Sequence, residues 1–373
     1  MPFLNYLSER KIMRLSVIRY NREEGVEFVS ALRKRVNDHF VDNKISKFGN
    51  LNMVLKSIFI ISLYFVPFVV IISGVVSSFW MLMLLWGVMG FGMCGIGVSI
   101  IHDANHGSFS KYNMVNKVMG YMLNVVGAYH VTWKIQHNVL HHSSTNVHQY
   151  DEDLDNQLMR FSPEQERKSI NKYQAYFAPF LYGLLSIYKM FSKDFEQIFR
   201  YNKMKLLTSQ GKTFRSALID SLVNKVVYLT FTLVLPIVLL PLPWWYSLLG
   251  FLLMHFICGI NLALIFQSAH VIEKTDFYTA DETGSVENCW AIHQMNTTAN
   301  FAKNARIFSW LIGGLNYQVE HHLFPNICHV HYRDISNIVK NTAKEYGVAY
   351  NEYPTFLDAI VSHFKLLNSL GKA

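Results

Sequence analysis

Two long stretches without charged residues dominate the sequence. Residues 57–101 and residues 226–270 are each 45 residues long and contain no Asp, Glu, Lys or Arg. As one straight helix, each stretch would be about 68 Å long, whereas a bilayer's hydrocarbon core is about 30 Å thick. Each stretch therefore fits two crossings and a tight turn. We predict the turns at residues 74–78 and 241–243, beside the tryptophans Trp80, Trp244 and Trp245, where an interfacial aromatic belt would lie.

The composition agrees with a membrane protein that also has a large part outside the bilayer. Charged residues make up 16% of the chain, compared with about 25% in soluble domains, and the mean hydropathy is a moderate +0.16. A buried hairpin in a soluble protein would show a polar face, which these stretches lack. The expected fold is an all-α integral membrane protein with four transmembrane helices in two hairpins, interfacial helices and a helical cap.

The basic residues predict the orientation of the chain. None of the 34 Lys and Arg residues lies in either predicted turn, so all of them fall on one side, which the positive-inside rule makes cytoplasmic. This bias explains most of the net charge of +8, and we do not interpret that charge as nucleic-acid binding. Two further apolar runs, 119–131 and 173–188, are interpreted as interfacial helices, because an added crossing would separate the histidine clusters described next.

We expect a single domain over residues 1–373. It divides into a cytoplasmic N-terminal segment (1–53), a first membrane hairpin (54–101), a cytoplasmic region (102–224), a second hairpin (225–270) and a cytoplasmic C-terminal region (271–373).

Histidines are unusually frequent and clustered. The 16 histidines include the clusters His102-Asp103-Ala104-Asn105-His106, His137-Asn138-Val139-Leu140-His141-His142 and Gln318-Val319-Glu320-His321-His322, and a lone His270 ends the second charge-free stretch. Residues four apart on a helix share one face, so His102 and His106 can point at one centre. Adjacent histidines diverge by about 100° and can reach two centres, so three clusters suit a site with two metal ions. Imidazole binds iron, copper, zinc and nickel, and the spacing does not choose among them.

Other metal and redox sites are not expected. The four cysteines lie far apart and form no CxxC pair, so neither a disulfide framework nor a zinc ribbon is indicated. No HExxH segment of the zinc-protease type is present either.

The three clusters, in this order and separated by membrane hairpins, resemble the three histidine boxes of membrane fatty acyl desaturases. The resemblance covers roughly residues 50–340. The segment 313–318 (GGLNYQ) leading into 320–325 (EHHLFP) is similar to the third box of the front-end subgroup, in which Gln replaces the first His.

The resemblance implies a non-haem centre of two iron ions. Its ligand candidates are His102, His106, His137, His141, His142, His270, His321 and His322. Gln318 then occupies the variable first position of the third box and binds or orients a ligand. Asp103 and Glu320 are expected to hydrogen-bond ligand imidazoles. His293 is a further candidate for a ligand or an electron-route residue.

The remaining polar residues receive simpler interpretations. His255 lies within the fourth span as a packed or tunnel-lining residue, and His39 and His363 are expected on the solvated surface. His329 and His331 are candidates for groups behind the ligands. The acidic run 151–155 (DEDLD) is interpreted as a solvated loop or as a contact for the substrate headgroup or for the ligand histidines.

The implied activity is oxidation of an acyl chain. Removing two hydrogens from unactivated methylenes needs an oxidant such as two irons and dioxygen can supply. We expect a front-end desaturase that places a cis double bond in an unsaturated, C18-like chain carried by CoA, a carrier protein or a lipid. A lipid hydroxylase or ketolase of the same superfamily is the nearest alternative. A metal-ion transporter is a remote one, because it would need ionisable residues within the spans.

Electrons must come from a partner. No flavin or nicotinamide fingerprint is present, and the first 50 residues are too short for the family's fused heme domain. A separate ferredoxin or b-type cytochrome is therefore expected as donor, and the bacterial inner membrane as location.

Overall fold

The computed structural model describes residues 18–373, which are mostly helical. The helices are α1 (Val26–Asp42), α2 (Leu51–Ile72), α3 (Phe79–His106), α4 (Asn113–Val125), α5 (130–144), α6 (Gln174–Gly183), α7 (185–203), α8 (Leu206–Ser209), α9 (Phe214–Leu239), α10 (Trp244–His270), α11 (Trp290–Thr297), α12 (Arg306–Leu311), α13 (Gln318–Leu323), α14 (Tyr332–Glu345) and α15 (Phe356–Lys372). Single 3₁₀ turns cover Ser169–Tyr173 and His329–His331. Two pairs of two-residue parallel strands join β1 (Arg19–Tyr20) to β2 (Ser285–Val286) and β3 (Asn300–Phe301) to β4 (Glu352–Tyr353).

Four of these helices, α2, α3, α9 and α10, are long and apolar enough to cross a membrane. They form two hairpins, and the all-α membrane fold predicted from the charge-free stretches is confirmed. Helix α2 begins at Leu51 and α9 at Phe214, before the hairpin boundaries expected at 54 and 225. Each of these helices therefore includes a lysine, Lys56 in α2 and Lys225 in α9, and both lysines are buried against the protein.

Helix α3 is the centre of the membrane part. In its most apolar 18-residue window 72% of the residues are buried, compared with 22% for α9, so α3 packs among the other spans while α9 faces outward. Close approach of α3 and α10 depends on small residues. A Cβ on Gly90 would lie 2.7 Å from the Met254 carbonyl oxygen, and one on Gly250 would overlap the Trp86 ring.

Two π-helical segments interrupt the regular helices at the histidine clusters. Ile96–Ile101 in α3 directly precedes His102, and Ile135–His141 in α5 contains both His137 and His141. Such segments shift the side chains that follow by part of a turn and are frequent at functional sites. Within the π segment the rings of His137 and His141 stack, with centroids 5.5 Å apart.

A helical cap covers the histidine clusters. Apolar residues of α1 and α14 form one core with α11 and α13, including Phe28, Leu32, Met295, Val319 and Tyr332. This core presses the third histidine cluster, which lies on α13, toward α3 and α5.

The C-terminal helix α15 is anchored by buried polar contacts. Arg160 donates a hydrogen bond to the Leu370 carbonyl oxygen at 2.8 Å. His363 is fully buried, with its Nδ1 bonded to the Val271 carbonyl oxygen at 2.7 Å and its Nε2 facing the Tyr182 hydroxyl at 2.6 Å. The expectation that His363 is a solvated surface residue was therefore wrong, because α15 packs this side chain against the end of α10.

Candidate metal centre

The eight histidines named as ligand candidates converge in one buried cluster. They come from the end of α3, from α5, from the last residue of α10 and from α13. Their ring nitrogens form overlapping groups in which the atoms lie within 4.8 Å of one another. The groups are His102, His106, His137 and His321, then His141, His270 and His322, and finally His142, His321 and His322.

The first and third groups meet through their Nε2 atoms. The Nε2 of His137 lies 3.2 Å from that of His102, and the Nε2 of His142 lies 3.2 Å from that of His137 and 2.9 Å from that of His321. Two nitrogens that bind one ion at about 2.1 Å and at right angles are about 3 Å apart. These spacings therefore match the edges of a coordination sphere.

In the second group, each histidine is held at its Nδ1 atom by a residue outside the cluster. His141 Nδ1 contacts both Asp151 oxygens at 3.1 Å, His270 Nδ1 bonds the Thr297 carbonyl oxygen at 3.2 Å, and His322 Nδ1 bonds Gln294 Oε1 at 2.7 Å. The three Nε2 atoms are buried and have no hydrogen-bond partner in the described part of the chain. An imidazole that donates from one nitrogen and leaves the other free is typical of a metal ligand.

Electrostatics favour neutral imidazoles in most of the cluster. Burial, with the neighbouring histidines, holds the pKa values of His137, His142, His321 and His322 well below the usual range. For His141 burial acts in the same direction, but Asp151 and Asp153 outweigh it and raise the pKa to about 9. Neutral rings keep lone pairs available, so this donor set suits the imidazole-binding transition metals, iron among them.

Gln318 also lies at the site. Its side chain is fully buried beside His270, and neither amide atom has a hydrogen-bond partner within 3.5 Å among residues 18–373. Such an amide is costly unless a ligand satisfies it, so the position is open to a contact with a metal ion.

Asp103 and Glu320 have different roles. Asp103 Oδ1 lies 3.5 Å from His102 Nδ1, beside a ligand candidate. Glu320 instead accepts hydrogen bonds from the Tyr350 hydroxyl and the Asn300 amide, both at 2.8 Å. The expected bond from Glu320 to a ligand imidazole is not formed, because its side chain points from α13 toward β3 and the segment before β4. Glu320 therefore anchors α13.

His293 lies outside the histidine groups. Its Nε2 bonds the Thr145 carbonyl oxygen at 2.8 Å, and its ring packs between Tyr20 and Tyr278. The structure therefore gives it a packing role behind α5 and does not place it as a ligand.

The acidic run is buried at its start, whereas its last residue, Asp155, is exposed. Asp151 and Glu152 are each 2% exposed. Asp151 and Asp153 contact His141, while Glu152 accepts hydrogen bonds from Gln197, Arg200 and Tyr201. The solvated-loop interpretation was wrong for Asp151 and Glu152, and the alternative contact with a ligand histidine is formed by Asp151 and Asp153.

Several residues that hold the ligand candidates in place belong to no motif or regular spacing in the sequence. Gln294 and Thr297 on α11 hold His322 and His270, and the Tyr332 hydroxyl lies 3.2 Å from His321 Nδ1. Only Trp133, which stacks on His137 with centroids 4.5 Å apart, could be found by its four-residue spacing.

A cavity of about 690 Å³ lies against the cluster. His137, His141 and His270 line it at the histidine side. Toward the membrane spans its wall is apolar, with Met93, Leu123, Cys258 and Leu262, and residues such as Gln136, Asn156, Lys193 and Gln197 line its polar part. The volume and mixed lining are those of a ligand pocket.

Several known proteins are similar in sequence to this chain over almost its whole length. The family model described as "Fatty acid desaturase" matches residues 78–354. The chain is 34% identical to a protein named sn-1 linoleoyl-lipid 6-desaturase from Synechocystis, over 95% of this chain and 98% of that protein. It is 36% identical to an acyl-lipid (8-3)-desaturase from Physcomitrium patens, over 95% and 74%, and 30% identical to a probable Delta(5) fatty acid desaturase from Dictyostelium discoideum, over 98% and 81%. With the family match and four membrane-length helices, the chain belongs to the fatty acid desaturase family and is a membrane oxidoreductase that acts on fatty acyl chains.

Proposed function

We propose that this desaturase uses two iron ions and dioxygen to place a cis double bond near the carboxyl end of a lipid-linked, unsaturated acyl chain. The observation that carries the proposal is the position of the histidine cluster. It forms one wall of a cavity whose apolar part lies among the spans and whose polar part begins beside His137.

The ligands divide between two ions. His102, His106, His137 and His321 would hold one, and His141, His270 and His322 the other, with His142 close to both groups. When bound, the two irons, together with dioxygen and two external electrons, would supply an oxidant. This oxidant is strong enough to remove two hydrogens from adjacent methylenes. The family uses iron, and the number of ions is the part proposed here.

The protein itself holds the chain and excludes water. Apolar residues from α3, α4 and α10, including Met93, Leu123 and Leu262, line the deep part of the cavity. An acyl chain threaded there would pass His137, His141 and His270 at a fixed depth. The surrounding spans keep bulk water from the oxidised carbons.

The polar part of the cavity supports a double bond near the carboxyl end. Gln136 is adjacent to His137 and donates to Asp153 at 2.5 Å, and Asp153 contacts His141. An ester carbonyl oxygen that accepts a hydrogen bond from the Gln136 amide would be held only a few carbons from the histidines. The names of the relatives support this placement: one is a linoleoyl-lipid 6-desaturase, one an acyl-lipid (8-3)-desaturase and one a probable Delta(5) fatty acid desaturase.

Orientation, domain extent and donor are further parts of the proposal. We infer one desaturase domain over the whole chain. We also infer that the histidine clusters lie on the cytoplasmic side, because no Lys or Arg lies in the hairpin turns and the basic residues are therefore on the same side as the histidines. A separate ferredoxin or b-type cytochrome supplies electrons. The bacterial inner membrane is the inferred location, and the Synechocystis relative is itself a bacterial protein.

Gas chromatography–mass spectrometry of total acyl chains tests the proposal. The protein is expressed with a competent electron donor in cells that make no polyunsaturates, fed linoleate, beside a His141→Ala control. We expect a new species two mass units lighter, absent in the control, with its double bond between the carboxyl group and the existing ones. Oxygenated products would instead indicate a hydroxylase or ketolase, and a desaturated product made equally by His141→Ala would refute the ligand assignment.

A further inference from the structure

A string of buried polar side chains leads from a membrane span to the first histidine group. Lys56 on α2 is 2% exposed, and its Nζ lies 2.6 Å from His329 Nε2. His329 Nδ1 lies 2.8 Å from Asp103 Oδ2, and Asp103 Oδ1 lies 3.5 Å from His102 Nδ1. We infer that Lys56 and His329 are positioning residues that act through Asp103 on His102. This inference rests on the proposed role of His102 as an iron ligand.

Hydrogen-bond chemistry gives the string one direction. A lysine ammonium can only donate, so His329 Nε2 must accept from Lys56. The proton of a neutral His329 is then on Nδ1, where it donates to Asp103. The backbone N–H of His329 also donates to the same oxygen at 3.1 Å. Asp103 is thereby held with its second oxygen toward His102, which orients the Nδ1 of His102 outward and its Nε2 toward the histidine group.

The burial of Lys56 needs a reason. Taking an ammonium out of water at the start of a membrane span is unfavourable without a partner. In the described part of the chain no carboxylate lies within ion-pair distance of Lys56; its contacts are His329 and the face of the Trp310 ring, at 5.4 Å from the centroid. The positive charge of Lys56 is therefore balanced by the carboxylate of Asp103, with the imidazole of His329 between the two groups.

The same cluster is not a third metal site. Asp103, Cys328 and His329 place ligand atoms within 4.8 Å of one another, which by itself would suit an ion. However, the Lys56 ammonium already contacts Nε2 of His329, and it would repel a metal cation bound at this position. The cluster therefore has a supporting role for the neighbouring histidine group.

The string also ties three distant segments together. Lys56 belongs to the first span, Asp103 to the end of the second, and His329 follows the third histidine cluster. Movement of α2 relative to α3 would thus reach Asp103 through hydrogen bonds, and His102 through its 3.5 Å contact with Asp103.

Two substitutions of similar size separate a hydrogen-bond role from packing. His329→Gln keeps both a donor for Asp103 and an acceptor for Lys56, whereas His329→Leu keeps neither. Removing a group that orients a metal ligand typically weakens metal binding 10–100-fold. We expect His329→Leu and Lys56→Met to weaken the binding of one of the two irons at least tenfold, and His329→Gln to stay within threefold of the unchanged protein.

The measurement is iron per chain by mass spectrometry during titration with a chelator, with the Mössbauer spectrum as a second readout. Lys225→Met is the matched control: this buried lysine pairs with Asp194 at 2.6 Å, and Asp194 contacts no imidazole among the described residues. It should keep both irons. Equal iron binding in His329→Leu and His329→Gln, with Lys56→Met unchanged, would overturn the inference, and if His329→Leu does not fold, Lys56→Met decides it. Absence of iron from the unsubstituted protein would instead refute the proposed function.

Discussion

Filling the cavity beside α3 should shorten the acyl chains that the enzyme accepts. Gly97 lines the cavity between Met93 and Ile101, four residues from each on the same face of the helix. A Cβ added at Gly97 meets only Leu262 Cδ2, at 3.5 Å, which is an ordinary contact. A leucine there would fit its backbone position and extend into the space of the substrate, so Gly97→Leu blocks the cavity without a backbone clash.

The size of the effect follows from the helix rise. From Gly97 to Met93 the helix rises about 6 Å. An extended chain advances about 1.3 Å per carbon, given bonds of about 1.5 Å, so about five carbons would lose their place. At about 0.8 kcal/mol per buried methylene, the loss is about 4 kcal/mol. That energy corresponds to roughly a thousandfold decrease in kcat/KM for a C18 chain.

The assay compares product formation from C18 chains and from chains shortened by about five carbons at the methyl end. Gly97→Leu should lose the C18 product and retain the shorter one, with the double bond at the same distance from the carboxyl group. Leu84→Phe, which adds bulk to an exposed position on the same helix, is the control and should behave as the unchanged protein. Unaltered C18 turnover in Gly97→Leu would mean that the acyl chain does not pass this part of α3.

Two further substitutions test the ligand groups. Asp151→Asn removes the carboxylate behind His141 and should weaken iron binding about 10–100-fold in a chelator titration, while the exposed Asp334→Asn should have no effect; equal affinities would exclude Asp151 from ligand support. Gln318→Leu gives up no hydrogen bond within the described chain, so Tm should be unchanged or higher, since an unpaired buried amide costs about 1–3 kcal/mol. If Gln318 contacts metal or substrate, turnover should nevertheless fall at least tenfold, and full turnover would leave the residue without a role in the reaction.

The spans and the convergence of the histidines could be predicted because both follow from local patterns. Charge-free length alone predicts four crossings, and the requirement that all basic residues share one side brings His102, His137 and His321 to the same face. The residues at which the membrane helices begin were harder to predict. Helix α9 begins at Phe214, after the Thr213 cap. It can include Lys225 because this lysine pairs with Asp194, a residue from a different helix, and no local pattern reports such a pairing.

The partners of the ligands could not be predicted for the same reason. Glu320 lies between Val319 and His321, yet its carboxylate bonds Asn300 and Tyr350. His363 is polar and near the C-terminus, yet it is buried because Val271 and Tyr182 supply partners for both ring nitrogens. The π-helical turns are equally invisible, since a regular helical spacing describes His137 and His141 just as well.

The buried charges around the cluster make its two halves electrostatically unequal. Behind His102, the carboxylate of Asp103 is balanced through His329 by the Lys56 ammonium. Behind His141, the carboxylate of Asp151 is joined by a second one, Asp153. Negative charge stabilises a more highly charged cation, so an ion held by His141, His270 and His322 should be harder to reduce than one held with His102. Two ions with similar histidine ligands would then differ in reduction potential because of residues that touch neither of them.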